Sequence, residues 1–253
     1  MSFPIAWLDL REPADHAARH SGLRGAAAAL VGAGGLVVDL GCGTGSTVRA
    51  LQPHLARSVR WRLVDHDAAV LREAGRRTGA ETVLCELARE DPPIEGAALV
   101  TASALLDLVS EAWVERLADA LKARRCPFYA ALSYDGCLSF DPAHPGDPAM
   151  TAALNAHQRT DKEFGPALGP DGAEVLAAAL RARGFEVRVE ASPWRLGPGD
   201  AELVAALLPG IAAVAAGWDG LARSEVEDWL AFRQGRAADG QCLVGHVDLL
   251  ATL

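Results

Sequence analysis

From Leu36 to Asp135 short apolar runs alternate with longer amphipathic ones, and no other feature of the sequence restricts the fold as much. LVVDL (36–40), SVRWRLVD (58–65), ETVLC (81–85), ALVTA (98–102) and PFYAALSYD (127–135) have the length and composition of strands. Between them, segments beginning near Ser46 and Ala68 and the stretch EAWVERLADALKA (111–123) have the length and apolar spacing of helices. Parallel neighbours cannot be joined by hairpins and need a crossover, so this alternation specifies an α/β fold: a doubly wound, mainly parallel sheet with helices on both faces.

The flanks fit that frame. Residues 5–33 read as helical and alanine-rich, with Gly34 and Gly35 closing them off, which marks residues 1–34 as an N-terminal helical extension and 35–253 as the main domain. Between Gly136 and Pro170 the regularity stops, apart from one helix near Met150 to Gln158. An irregular insertion of this length in a compact domain is expected to be functional, here a cap over the site at 136–170. Asp171 is placed as an N-cap with Glu174 three residues on, and Gly184 closes the helix before a strand at 185–190. Two helices (200–216 and 223–233) and a last strand, QCLVGHVDLLA, bring the expected sheet to seven strands.

Composition excludes several functions. Across 253 residues the formal net charge is −9, which disfavours a broad phosphate-binding face and makes nucleic acid an unfavoured partner. Five scattered cysteines with no C-x-x-C pair suggest neither a disulfide framework nor a zinc site, and no metal is expected. The N-terminus has acidic residues and a proline where an export signal needs a basic start and an apolar centre, and no run approaches the apolar length of a bilayer span. The expectation is a cytoplasmic protein, monomer or homodimer, acting on small molecules away from membranes.

The stretch VVDLGCGTGS places three glycines in five positions directly after the first strand. A dinucleotide loop needs G-x-G-x-x-G, and here Ser46 stands where the third glycine belongs. A phosphate-binding P-loop needs a lysine after its glycines, and no lysine precedes Lys122. Asp39, two residues ahead of Gly41, sits badly beside a pyrophosphate and well near a ligand carrying positive charge. The ligand expected is cationic and free of phosphate.

Asp39-Leu40-Gly41-Cys42-Gly43-Thr44-Gly45 resembles the first motif of the class I S-adenosylmethionine (SAM)-dependent methyltransferases, an apolar strand followed by D/E-x-G-x-G-x-G. The resemblance implies a Rossmann-like sheet, SAM as cofactor, and cofactor contacts from Asp39, Gly41, Cys42, Gly43, Thr44 and Gly45. It also implies that Asp65, ending the second strand beside His66, accepts hydrogen bonds from both ribose hydroxyls. Glu86 and Leu87 fall where the family reaches the adenine, with Glu in place of the more usual Asp. Ala102, Ser103 and Leu106 are placed along the methionine half; the Thr-Ala-Ser at that strand end lacks the Asn/Asp-Pro-Pro-Tyr signature of the amine-methylating nucleic-acid enzymes. WLDLREPADHAAR, TASALLDLVS, HQRTDKEFGPALGP, SPWRLG and VGHVDLL are also similar to a bacterial subgroup to which no substrate is attached.

What the resemblance implies for activity is methyl transfer from SAM (EC 2.1.1.-) to an O or N atom of a small molecule. Methylation of RNA or protein, and a SAM-binding sensor or partner subunit without catalysis, stay open beside it. Acceptor groups belong beyond the carboxyl ends of the strands. There the candidate catalytic residues are His157, Tyr134 and Asp135, and the candidate acceptor-binding residues are His157, Arg159, Asp161 and Trp194. Arg159 with Lys162 would suit an anionic acceptor, and Arg11 and Asp15 could close over the cofactor as a lid.

Overall fold

The computed structural model describes residues 3–253. Eight strands, β1 (Leu36–Leu40), β2 (Arg60–Asp65), β3 (Glu81–Leu84), β4 (Leu99–Ser103), β5 (Phe128–Asp141), β6 (Glu186–Ala191), β7 (Trp194–Leu196) and β8 (Gln241–Thr252), form one sheet. Its order is β3-β2-β1-β4-β5-β8-β6, with β7 also pairing β8. The pairs among β1 to β5 are parallel, and β8 runs antiparallel to β5, β6 and β7. The sheet exceeds the expected seven strands because Trp194, Arg195 and Leu196 pair with Val244, Leu243 and Cys242. A run of three residues is too short to show a strand period in sequence.

All five residues of β1 are buried, as a central parallel strand covered on both faces requires. One face packs on the helices α5 (Glu111–Arg124) and α7 (Gly172–Ala182). The other packs on α2 (Ser21–Ala29), α3 (Ser46–Leu51) and α4 (Ala68–Thr78). A third apolar cluster joins the far ends of β5 and β8 to α6 (Asp147–Gln158), α8 (Ala201–Ala215) and α9 (Arg223–Gly235). By length and composition Pro198–Ala215 could cross a membrane, contrary to the sequence expectation, but here Leu203, Leu208 and Ile211 of this segment pack into that third cluster.

Two further expectations change. The irregular stretch begins later than Gly136, because β5 continues to Asp141, paired with β8 through Leu138, Ser139, Phe140 and Asp141. Register shifts break the pairing between Ala130 and Ser133 and between Tyr134 and Leu138, so the hydrogen-bonded ribbon persists where apolar alternation fails. Asp171 stands at the N-cap position of α7, but its side chain makes no capping hydrogen bond; its carboxylate binds Arg159 at 2.8 Å, and α7 grows out of a short 3-10 turn. By contrast Asp67 caps α4, accepting from the N–H groups of Ala69 at 2.7 Å and Val70 at 3.2 Å.

The N-terminal helix α1 (Ile5–Ala18) is tied to the main body through polar groups. Glu12 takes two hydrogen bonds from Arg49, Asp9 pairs with Arg77, and His16 Nε2 lies 3.0 Å from Ser46 Oγ. The joint between α1 and α2 is fixed by the fully buried Asp248 of β8. That carboxylate accepts from His20 N at 2.9 Å, Tyr129 Oη at 2.8 Å and Leu132 N at 3.0 Å. Three donors to one carboxylate satisfy a charge that would otherwise be costly to bury.

Candidate active site

Strands β1 and β4 are neighbours although β2 and β3 intervene in sequence, so the chain turns to opposite sides of the sheet after each. A crevice opens at such a switch point, at the carboxyl ends of the strands. The turn after β1 fills its floor. Gly41, Gly43 and Gly45 have φ of +66°, +54° and +84°, all in the left-handed region, so the alternate-glycine spacing is what this backbone requires. Cys42 N donates to Val64 O and Gly45 N to Cys42 O, both at 3.0 Å, which locks the turn against the end of β2.

On the β2 side stands Asp65. Its Oδ2 accepts from Gly43 N at 3.0 Å and its Oδ1 from Asp67 N at 3.1 Å, with His66 Nδ1 3.3 Å away. The carboxylate is thereby oriented before any ligand arrives, and it lines the cavity with His66, Glu86 and Leu87. Leu87 is held by its carbonyl, which accepts from Trp113 Nε1 at 2.8 Å. Phe164 stands edge-on to Trp113, centroids 5.9 Å apart, and adds an aromatic wall.

On the β4 side the cavity is lined by a cation, Arg19, only 4% exposed. One terminal nitrogen donates to Ser103 Oγ at 2.9 Å, while among the described residues Nε and the other terminal nitrogen are buried with no hydrogen-bond partner. Unpaired guanidinium N–H groups are costly to bury and call for an acceptor. The sequence reading missed Arg19, yet the signal was present: Arg11, Asp15 and Arg19 recur every four residues and so share one face. The structure places all three on the cavity wall. Arg11 donates twice to Asp15, and Asp15 also accepts from Trp194 Nε1 at 3.0 Å.

Asp39 lies beneath the turn, 1% exposed, directly in register with Thr101 of β4. Its Oδ1 accepts from Thr101 Oγ1 at 2.7 Å, and its Oδ2 has no hydrogen-bond partner among the described residues. Burial pushes its pKa up from 3.8 to about 6, against the pull of Thr101 and Arg19. An acid that ionises later when folded adds stability below pH 3.8, and this is lost as pH rises through about 6. Asp39→Asn is therefore expected to gain urea stability relative to the wild type between about pH 4 and about pH 7. A constant difference across that window would show that Asp39 does not carry this cost.

The cavity holds about 1120 Å³ of empty space, part of it open to solvent, on the scale of a small-molecule site. Of the residues expected at the cofactor, Gly41, Cys42, Gly43, Thr44, Asp65, His66, Glu86, Leu87 and Ser103 line it. Gly45 instead forms the N-cap of α3, and Ala102 and Leu106 are packed in the core, each 1% exposed, because residues pointing into the sheet layer cannot also face the crevice. The acceptor-side expectations fare differently. Tyr134 is buried and donates to Asn155 Oδ1 at 2.8 Å; burial raises its pKa. Asp135 is exposed in the β5 irregularity and accepts from Cys137 N. Arg159 is exposed and bound to Asp171, and Asp161 folds back on Glu163 N and Gly165 N. Trp194 packs behind Arg11, whose guanidinium lies 5.0 Å from its ring. His157 is exposed, and partial burial and the nearby Lys162 ammonium lower its pKa. None of these six lines the cavity, whereas Lys162 does.

No protein-family model matches the chain, and no curated protein does. Among solved structures, geranyl diphosphate C-methyltransferase from Streptomyces coelicolor A3(2) is 15% identical, over 92% of this chain and 80% of that one, with a TM-score of 0.46. The cyclopropane synthase MmaA2 from Mycobacterium tuberculosis is 11% identical, over 91% and 82%, at 0.48. A putative sarcosine dimethylglycine methyltransferase from Galdieria sulphuraria is 12% identical, over 88% and 81%, at 0.48. The ligand has to be read from the side chains at the crevice.

Proposed function

We propose that this protein is a class I SAM-dependent methyltransferase acting on a small molecule. The observation that carries this reading is the pairing of unlike groups across the glycine turn: the oriented carboxylate of Asp65 on the β2 side and the unpaired, buried guanidinium of Arg19 on the β4 side. SAM presents a ribose cis-diol at one end and an α-carboxylate at the other, so each group has a partner. A carboxylate with two oxygens suits a diol, and a guanidinium fork suits a carboxylate. Asp39 and Asp65 supply negative charge near the turn, which favours a ligand bearing a sulfonium and an ammonium. The absence of Cβ atoms at Gly41 and Gly43 leaves the backbone open to close approach.

Bound SAM would supply a methyl group already activated by its sulfonium. The protein then has to align an acceptor with that group and keep water out, and positioning of this kind contributes about 7 to 11 kcal/mol. The cavity wall formed by α1 and by the segment after α6 serves that end. A small-molecule acceptor, a cytoplasmic location and a monomer or homodimer belong to the same proposal. Transfer to RNA is disfavoured by the charge of −9, since phosphate contacts need a basic face.

Titration calorimetry with SAM and S-adenosylhomocysteine (SAH) tests the reading. The expected result is saturable, equimolar binding of both. No heat and no rise in melting temperature at millimolar ligand would dismiss it. Binding without label transfer from methyl-tritiated SAM to any acceptor in a cell extract would favour the sensor alternative.

A further inference from the structure

Resting on the methyl-donor reading, with SAM in the crevice, one buried cation of the cavity wall is left without a counter-charge. Among the described residues three lysine or arginine side chains line the cavity: Arg11, Arg19 and Lys162. Arg11 donates twice to Asp15, and the unpartnered nitrogens of Arg19 match the single carboxylate of SAM. Lys162 remains. It is one of only two lysines in the chain, is 4% exposed, and makes no ion pair among the described residues. Lysine is rarely so buried unless its charge is paired. Its Nζ lies 3.0 Å from Thr160 Oγ1 and 3.3 Å and 3.4 Å from the two ring nitrogens of His157. An ammonium has three N–H groups; Thr160 takes one, and a neutral imidazole accepts at most one through its bare nitrogen. One N–H is left for a guest. Burial lowers the pKa of Lys162, and the charge of Asp107 opposes this without forming an ion pair.

The backbone holds this ammonium in place. Residues 160–167 form a tight reversal: Asp161 bridges to Pro166, Ala167 N donates to Thr160 O at 3.4 Å, and the Asp161 carboxylate accepts from Glu163 N at 2.7 Å and Gly165 N at 3.1 Å. The reversal is anchored to the turn after β4, where Leu168 N donates to Val109 O at 2.8 Å and Gly169 N to Asp107 O at 3.1 Å. That turn brings Leu105 and Leu108 to the cavity wall, and the reversal itself brings Phe164. A fixed ammonium on a wall with such side chains suits a ligand that carries an anionic group on an apolar body.

The charge of that group is limited. The wall also carries the carboxylates of Asp15, Asp65 and Glu163, which oppose a dianion such as a phosphate monoester. A cationic acceptor would bring a second positive charge to an ammonium that already lacks a partner, and a neutral one would leave it unpaired. We infer that the methyl acceptor is a small apolar carboxylic acid, held by an ion pair between its carboxylate and Lys162. The carboxylate is the recognition group and not the methylated atom, because an ammonium bonded to it draws its electrons away from the sulfonium.

The test uses the SAH-saturated protein, in which Arg19 is already engaged, with benzoate, its neutral isostere benzamide and the cation benzylammonium at neutral pH. Calorimetry is expected to show saturable binding of benzoate, binding of benzamide weaker by about 10- to 100-fold, and none of benzylammonium. Lys162→Met should bring benzoate down to the benzamide level while SAH and benzamide keep their wild-type affinities; a lysine that only supports the loop would affect benzoate and benzamide alike. Lys162→Arg keeps the charge and should keep part of the preference. Failure of benzoate to bind, equal binding of benzoate and benzamide, a preference that survives Lys162→Met, or loss of SAH binding in that variant overturns the inference. If the wild type binds SAH and the benzoate result fails, only the acceptor assignment falls; if SAH itself does not bind, the donor reading falls with it.

Discussion

Replacing Asp65 with alanine is expected to raise the Kd for SAH by about 10² to 10⁴-fold, the largest loss of any single substitution at the site. Each hydrogen bond from a ribose hydroxyl to an ionised carboxylate contributes about 1.5 to 3 kcal/mol, and two of them account for that range. The side chain also holds Gly43 N and Asp67 N, so the variant loosens the turn itself. Asp65→Asn separates the two effects. It keeps the shape and one acceptor oxygen but lacks the charge, and a loss of about 10-fold is expected for it. Calorimetry on both variants, with urea unfolding of the ligand-free proteins beside it, makes the check. Equal SAH affinity in wild type and Asp65→Ala would remove the ribose role.

The second large effect concerns Arg19. Arg19→Met is expected to weaken SAH by about 100-fold while leaving 5′-methylthioadenosine, which has no amino acid portion, unchanged. A general disturbance of the cavity would weaken both ligands together. Arg19→Lys should recover part of the loss, since an ammonium provides the charge but not the planar fork. The substitution also acts on Asp39, whose charge Arg19 stabilises, so the methionine variant should ionise Asp39 at still higher pH.

Much of the sheet was legible from periodicity because parallel strands buried on both faces, such as Leu36–Leu40, stand out as short apolar runs between helices. The glycine turn was legible for a different reason: alternate left-handed residues can hardly be anything else, and their spacing survives any context. β7 and the outer half of β5 were not legible, since their pairing comes from β8, about 50 to 100 residues away in the chain, and from no local pattern. The acceptor side was misread for a related reason. His157, Arg159 and Asp161 were singled out for residue type, but the loop turns those side chains toward Lys162, Asp171 and their own backbone. Lys162, named in the sequence only beside Arg159, reaches the cavity together with Glu163 and Phe164. Which polar residue of an irregular stretch faces inward depends on packing across elements, which no local pattern records.

The central claim is that the turn after β1 holds SAM with its ribose on the β2 side and its carboxylate on the β4 side. A crystal structure of the SAH complex measures this directly. The account predicts both ribose hydroxyls within hydrogen-bond distance of Asp65 and the carboxylate on Arg19 Nε and its free terminal nitrogen. SAH bound in the reverse direction, or elsewhere with Asp65 and Arg19 unengaged, would contradict it.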